Sequence, residues 1–178
     1  MTPIGPESRY VENPTMELLA QLGWSTVDAF GEILGPKGTL GRDSQHDVVL
    51  THRLKQAMLR LVTSDIPESL IDEAVEAVTK DRSAMDRVRA NREVYGLLRD
   101  GYLAEWTDDG GDKHLETLRY LDLKHPFSND LLAVQQMWVK GTLHSRRPDI
   151  ILFVNGIPLV LMELKGPSQP VKAAYDDN

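Results

Sequence analysis

The stretch that decides the fold is 146–167, RRPDIILFVNGIPLVLMELKGP. It contains two apolar runs, 150–154 and 157–162. Between them lies Asn155-Gly156, a dipeptide that strongly favours a tight turn between antiparallel strands. The stretch therefore predicts a β-hairpin beside a hydrophobic core.

Three charged residues stand at the open end of this hairpin. Asp149 precedes the first apolar run, and Glu163 and Lys165 follow the second. Charge beside a core is costly unless it is paired or bound to a metal ion. Carboxylate oxygens suit hard divalent ions such as Mg²⁺, and an ammonium neutralises charge that develops on a phosphodiester during hydrolysis. The pattern therefore indicates a metal-dependent nuclease, with Asp149 and Glu163 as metal ligands and Lys165 as the catalytic cation.

An acid-x-Lys triplet by itself carries little information, because about one is expected by chance in a chain of this length. A second triplet, Asp122-Leu123-Lys124, lies on the predicted strand 117–124. The acids upstream of it belong to a polar turn at 108–112, not to the mouth of an apolar strand. We therefore interpret Asp122 and Lys124 as a solvated strand face.

The number of residues in the turn decides whether Asp149 and Glu163 project from the same face of the hairpin. A regular two-residue loop at Asn155-Gly156 places Asp149 and Glu163 on opposite faces of the hairpin, where one metal ion cannot reach both. One extra residue corrects this. We predict either a three-residue loop with a left-handed Gly156 or a β-bulge elsewhere in the two strands.

The remaining chain predicts an α/β domain with a mixed sheet covered by helices. Asn13-Pro14 has the pattern of an N-cap and a first helical residue, which predicts a helix from about 13 to 22. Glycine-rich residues 31–47 predict a loop. Helical periodicity predicts three helices within 51–100, separated by the offsets of capping pairs at Asp65/Glu68 and Ser83/Asp86. The predicted strands are 117–124, 131–140, 149–154 and 157–165.

Composition limits the function classes. The chain has 178 residues, 41% of them hydrophobic, which suffices for one globular domain. It has no cysteine, no membrane-spanning stretch and no signal peptide, so we expect a cytoplasmic protein without membrane partners. A net charge of -7 argues against a general nucleic-acid-binding protein, although a DNA-cutting site is acidic by nature. The C-terminal residues begin a helical pattern that stops, so we expect a piece of a longer protein.

The hairpin sequence closely resembles the nuclease signature at the N-terminus of the restriction (R) subunit of type I restriction-modification enzymes. These enzymes form a branch of the PD-(D/E)xK superfamily. Further pieces match in the same order: ESRYVE at 7–12, LLAQLGW at 18–24, DRSAM at 81–85, ANREVY at 90–95, LDLKHPFSND at 121–130 and AVQQMWVKG at 133–141.

This resemblance implies a restriction-endonuclease-like fold, a mixed β-sheet flanked by helices, with 1–178 as a single endonuclease domain that carries a helical insertion at about 51–100. It implies Asp149 and Glu163 as metal ligands with the Leu164 carbonyl as a candidate third, Lys165 as the catalytic lysine and Glu12 as the helix acid that joins the site.

The resemblance also implies a cofactor and partners. The cofactor is Mg²⁺, with Mn²⁺ as an alternative, and the substrate is double-stranded DNA. The partners are the specificity and modification (methyltransferase) subunits of the restriction complex. ATP belongs to motor domains outside these 178 residues.

Several alternatives stay open. A helix that starts just beyond Glu12 leaves the direction of this acid undecided, and Tyr175 lies near the position of a Gln/Tyr motif in the family. Arg146 and Arg147 fit phosphate contacts or simple turn charges equally well. Another PD-(D/E)xK enzyme for repair or junctions, and a non-catalytic subunit-docking domain, remain alternative functions. The tryptophans, Trp24, Trp106 and Trp138, are predicted to pack in or beside the core, and the histidines lack the spacing of a zinc site.

Overall fold

A computed structural model of the chain describes residues 8–141 and 143–166, which form two compact units. The first unit comprises the described residues up to Leu50 and from Leu131 onward, so it holds the hairpin. The second unit, Thr51–Asp130, is inserted between those two segments in the sequence. The predicted helical insertion at about 51–100 falls within this second unit, which continues to Asp130.

Among its described residues, the first unit contains one α-helix and six strands. They are α1 (Asn13–Gln21), β1 (Ser25–Asp28), β4 (Leu131–Gln135), β5 (Val139–Lys140), β6 (Ser145–Arg146), β7 (Ile150–Val154) and β8 (Ile157–Met162). The second unit contains α2 (Thr51–Leu61), α3 (Glu68–Thr79), α4 (Arg87–Asp100), β2 (Tyr102–Thr107) and β3 (Lys113–Leu118). The residues between β1 and α2 form no helix or strand, as the glycine-rich loop prediction requires.

The main sheet of the first unit has the strand order β1-β4-β7-β8. Strand β4 runs parallel to β1 and antiparallel to β7, and β7 is antiparallel to β8. The sheet is therefore mixed, which confirms the predicted α/β fold class.

Both faces of this sheet are covered, which explains why β7 is apolar at every position. On one face, Ile150 and Leu152 pack with Met16 and Leu19 of α1. On the other face, Ile151 and Phe153 pack in a larger cluster with residues of β4 and of the long loop. Alternate residues of β7 thus enter two separate cores.

The hairpin turn is a two-residue loop. Asn155 and Gly156 have φ angles of 52° and 79°, and Val154 pairs with Ile157 across them. Positive φ at both central residues is the geometry of a type I′ turn. The predicted three-residue loop is therefore wrong.

The alternative prediction, a β-bulge, is confirmed. Phe153 pairs with Pro158 and Leu152 pairs with Val160, so Leu159 is the extra residue. Pro158 has no N–H to give to the ladder, and strands tolerate proline at such irregularities. Beyond the bulge the register runs to Ile150 and Met162.

The second unit confirms the three predicted helices but not their predicted caps. Asp86 is itself the N-cap of α4, and its carboxylate accepts hydrogen bonds from the N–H groups of Val88 and Arg89. Helix α3 follows Pro67 without a side-chain cap. The pairs Asp65/Glu68 and Ser83/Asp86 are therefore not capping boxes.

The predicted strand 117–124 is largely wrong, because β3 ends at Leu118. Beyond it, buried Tyr120 donates a hydrogen bond from its hydroxyl to the Ala74 carbonyl at 2.7 Å. That anchor directs the following segment into a turn, so it does not continue the ladder. Among the described residues, no helix is long and apolar enough to cross a membrane.

Candidate active site

Three strand ends meet at one edge of the main sheet. Gln136 follows β4, Asp149 precedes β7, and Glu163 follows β8. The N–H of Gln136 donates to the Asp149 carbonyl at 2.9 Å, so these two residues continue the β4–β7 register. Continuing the β7–β8 register by one pair places Asp149 opposite Glu163. Directly opposite residues project from the same face, which is what a shared metal ion requires.

The Asp149 carboxylate is held from two sides. One oxygen, Oδ2, accepts a hydrogen bond from the backbone N–H of Leu164 at 2.6 Å. The other, Oδ1, accepts one from the side-chain amide of Gln136 at 3.3 Å. A carboxylate has about four lone-pair positions. These two bonds therefore orient the group and leave acceptor capacity on both oxygens.

Glu12 belongs to a helical segment that begins before it. Ser8–Glu12 forms a π-helical turn that leads into α1, and Glu12 has helical φ and ψ of -64° and -53°. Helix α1 spans Asn13–Gln21, close to the predicted 13–22, but the predicted N-cap at Asn13 is wrong because helical chain precedes it. A π-helical turn changes the bonding pattern from four to five residues, which lets the helix continue past Pro14 although proline has no N–H to donate.

The structure brings Glu12 to the site. Its side chain is only 5% exposed, and Oε2 accepts hydrogen bonds from the amides of Gln135 and Gln136 at 2.8 and 2.9 Å. Because a buried carboxylate is costly without donors, the two glutamines stabilise it there. The Gln136 amide also contacts Asp149. Glu12 and Asp149 thus lie on either side of one amide nitrogen.

Gln136 was missed by the sequence analysis. It has a φ of 57°, an uncommon conformation for a residue other than glycine, and strain of this kind often marks a functional site. The β4–β7 pair and the β5–β6 pair share one register, since Gln135 pairs with Ile150 and Val139 pairs with Arg146. Gln136 lies at the point where this common ladder is interrupted. Two consecutive glutamines at the end of an apolar strand are the available sequence signal.

Glu163, Leu164 and Lys165 are half-buried just beyond the end of β8. Leu164 packs against the apolar cluster beneath α1. In extended chain, the neighbours of an inward residue project to the opposite side. Alternation therefore assigns Glu163 and Lys165 to the face away from that cluster.

The donor set suits a magnesium-type ion. Among the described residues, no three His, Cys, Asp or Glu side chains converge in a way that could hold a metal ion. The candidate ligands are instead two carboxylates, Asp149 and Glu163, and the Leu164 carbonyl. Mg²⁺ accepts such a partial set of oxygen ligands because it retains several water molecules.

Comparison with known proteins identifies the family. A family model described as the N terminus of the type I restriction enzyme R protein matches residues 6–177. The chain belongs to this family.

Individual relatives agree. The chain is 37% identical over 159 residues to the type I restriction enzyme HindI endonuclease subunit of Haemophilus influenzae, a match that covers 88% of this chain and 15% of that protein. It is 28% identical over 177 residues to a putative type I restriction enzyme MjaIXP endonuclease subunit of Methanocaldococcus jannaschii, covering 97% and 16%. The chain thus spans about a sixth of each relative.

Two further residues of this R-subunit domain lie beside the strand ends. Arg146 and Arg147 are exposed, and the Arg147 guanidinium lies 5.0 Å from the Phe30 ring centroid and 5.1 Å from that of Trp138. The Trp138 residue is 37% exposed and therefore partly buried, in agreement with the predicted packing beside the core. Tyr175, the candidate for the family's Gln/Tyr motif, lies outside the described residues.

The second acid-x-Lys triplet has a structural role. Asp122 lies in a turn, where its Oδ1 accepts hydrogen bonds from the N–H groups of Lys124 and His125, both at 2.9 Å. Chiefly the His125 backbone N–H holds the pKa of the Asp122 carboxyl below its ordinary value. The prediction of a solvated strand face is therefore wrong, because Asp122 lies in a turn and not on a strand. Its carboxylate caps that turn.

Proposed function

We propose that this domain cleaves double-stranded DNA in a metal-dependent reaction as the nuclease of a type I restriction complex. The single observation that carries the proposal is the Gln136 amide. It joins Glu12 to Asp149 at the strand ends where the register also brings Glu163. A helix acid, two strand acids and a lysine at one sheet edge are the groups that a metal-dependent hydrolytic site needs, and their arrangement supports the proposal.

Each residue has a separate task. Asp149 and Glu163, with the Leu164 carbonyl, hold Mg²⁺, and Mn²⁺ is the alternative ion. When bound, such an ion lowers the pKa of water and neutralises charge on the phosphate. Lys165 places an ammonium beside the scissile phosphate and stabilises the charge of the transition state.

Glu12 and Gln136 act as positioning groups. Gln136 donates to both acids, so it sets the orientation of Asp149 and keeps the two negative charges apart. Supporting hydrogen bonds of this kind commonly change metal affinity by about 10- to 100-fold. The buried Glu12 carboxylate in turn fixes the Gln136 amide.

The proposal includes the setting of the domain. Its partners are the specificity subunit, which selects the DNA sequence, and the modification (methyltransferase) subunit. ATP-driven translocation belongs to other parts of the endonuclease subunit, and the complex acts in the cytoplasm. The relatives support this setting, since they are named as endonuclease subunits of type I restriction enzymes.

The test is cleavage by the assembled complex. The endonuclease subunit that carries this chain is combined with its specificity and modification subunits, plasmid DNA, ATP and Mg²⁺. We expect linear DNA from the wild type and none from Asp149→Asn or when EDTA replaces Mg²⁺. If the Asp149→Asn complex assembles and cuts at the wild-type rate, the site lies elsewhere. Assembly without any cleavage by the wild type indicates a docking domain.

A further inference from the structure

An exposed stack of three side chains lies next to the candidate active site. The Arg147 guanidinium lies over the rings of both Phe30 and Trp138, 5.0 and 5.1 Å from their centroids. Phe30 is 51% exposed and Trp138 37%, so this is a surface feature. Arg147 precedes Asp149 by two residues, which in extended chain is about 7 Å.

The stack is built from strand ends. Val139 pairs with Arg146, and the same register places Trp138 opposite Arg147. Phe30 comes from the end of β1, where its N–H donates to the Asp28 carboxylate at 2.9 Å. The three side chains are therefore held by the sheet edge that carries Gln136 and Asp149.

A buried ion pair connects the two segments that carry the aromatic residues. The guanidinium of Arg42, which is only 3% exposed, donates to both carboxylate oxygens of Glu32 at 2.7 and 2.5 Å. It also donates to the Trp138 carbonyl at 2.6 Å. Glu32 follows Phe30 by two residues, so Arg42 connects the two segments that provide the rings.

The arrangement leaves a defined part of Arg147 available. A guanidinium is planar, with ring-stacking faces and with five N–H donors along its edge. The rings of Phe30 and Trp138 contact the guanidinium through their π faces. Arg147 forms no ion pair among the described residues, so its N–H donors remain for a ligand that accepts hydrogen bonds. Phosphate oxygens match that edge in geometry and in charge.

We propose that Phe30, Arg147 and Trp138 form a backbone clamp, in which Arg147 contacts a phosphate of the DNA strand that is cut. The inference deepens the proposed nuclease function and rests on it. The chain has a net charge of -7 and the site itself is acidic, so DNA needs a cation close to the scissile phosphate. The rings reduce the freedom that Arg147 loses on binding, which is the benefit of a preorganised contact.

The test measures single-turnover cleavage by the assembled complex at several salt concentrations. Arg147→Gln should lower the cleavage rate by about tenfold or more, since a hydrogen-bonded charge contact is worth at least that much. At DNA concentrations well below saturation, where the rate follows the binding constant, loss of one phosphate contact should also reduce the slope of log rate against log salt by about 0.9. A merely structural role of Arg147 lowers the rate without changing this slope.

Three further variants separate the parts of the clamp. Arg147→Lys keeps the charge, so the wild-type slope should return while the rate stays reduced. Phe30→Leu combined with Trp138→Leu keeps Arg147, so the slope should hold while the rate falls by about fivefold. The control is Arg60→Gln, which removes an exposed arginine of α2 that forms no ion pair among the described residues.

The outcomes distinguish this proposal from the proposed function. Wild-type rate and slope in Arg147→Gln overturn the clamp, even when Lys165→Ala abolishes cleavage. An unchanged rate in the Phe30/Trp138 double variant overturns the role of the rings. Full cleavage by Lys165→Ala instead overturns the nuclease site.

Discussion

Two triplets in this chain have almost the same letters, Asp122-Leu123-Lys124 and Glu163-Leu164-Lys165. The first lies in a turn beyond β3, and the second follows β8 in the main sheet. The Asp122 carboxylate accepts two backbone N–H bonds on one oxygen and contacts the His125 ring with the other, so the turn uses most of its acceptor positions. These hydrogen bonds all join Asp122 to its neighbours in the same turn.

The second triplet contacts a residue at the start of the neighbouring strand. The Leu164 N–H donates to Asp149, fifteen residues earlier, instead of to a neighbour in its own turn. Asp149 in turn connects through Gln136 to Glu12. The comparison shows that an acid-x-Lys pattern gains meaning from the residue that the strand register places opposite it.

The two lysines should differ most in catalysis. Lys165→Ala should reduce cleavage by about 10²- to 10³-fold or more, because it removes a charge that stabilises the transition state. Lys124→Ala should leave the rate unchanged. The measurement is cleavage by the assembled complex, with melting temperatures as the control for folding. An unfolded Lys165→Ala domain instead indicates a structural ion pair, and loss of cleavage in Lys124→Ala reverses the assignment.

The two aspartates should differ in their response to metal ions. Mg²⁺ or Mn²⁺ at about 100 times its dissociation constant should stabilise the folded chain by about 2.7 kcal/mol. Asp149→Asn should abolish this gain, whereas Asp122→Asn should keep it. Thermal unfolding with and without the ion measures both. Equal stabilisation of the Asp149→Asn and wild-type chains removes Asp149 from the metal site.

Gln136 should have a smaller effect through Asp149. Gln136→Gly removes the amide and tolerates the positive φ, so the backbone is not strained by the change. We expect metal affinity to fall by about tenfold, as for other groups that orient ligands. Titration calorimetry measures the affinity. The control is Asn129→Gly, beside the first triplet, which should leave the metal affinity unchanged.

The smallest expected effect concerns the Asp122 turn. Backbone N–H bonds lower the pKa of Asp122 below its ordinary value of 3.8. The ionised form therefore stabilises the fold above that value, and this contribution disappears as the pH falls through the lowered pKa. Asp122→Asn should melt slightly below wild type at about pH 6, and the gap should narrow as the pH falls below 3.8. A constant gap contradicts the account of this turn.

Much of the site edge was predictable because its signals are local. The Asn155-Gly156 turn, the two apolar runs and the acids at their ends are all adjacent in sequence. One extra residue within the hairpin is needed to bring Asp149 and Glu163 to the same face, and the bulge provides it. The apolar pattern fits an extra residue in the loop and one in a bulge equally well. Pro158 marks the position of the bulge.

Other parts depend on contacts between distant residues. The direction of Glu12 follows from a π-helical turn and from the two glutamines at the end of β4. Local rules instead favoured a helix start at Asn13. Similarly, strand-forming residues in 117–124 favoured a continuous strand, and the buried hydroxyl of Tyr120 directs that segment elsewhere. Local propensity cannot show such tertiary contacts.

The most direct measurement of the central claim is the position of a bound metal ion. A crystal of the chain grown with Mn²⁺ gives an anomalous difference map that identifies the ion. We predict a peak between Asp149 and Glu163, with the Leu164 carbonyl as a ligand and oxygen distances of about 2.0–2.3 Å. No ion should lie at Asp122. A peak at Asp122 with none at Asp149, or no ion beside Asp149 at a Mn²⁺ concentration that supports cleavage, would contradict the claim.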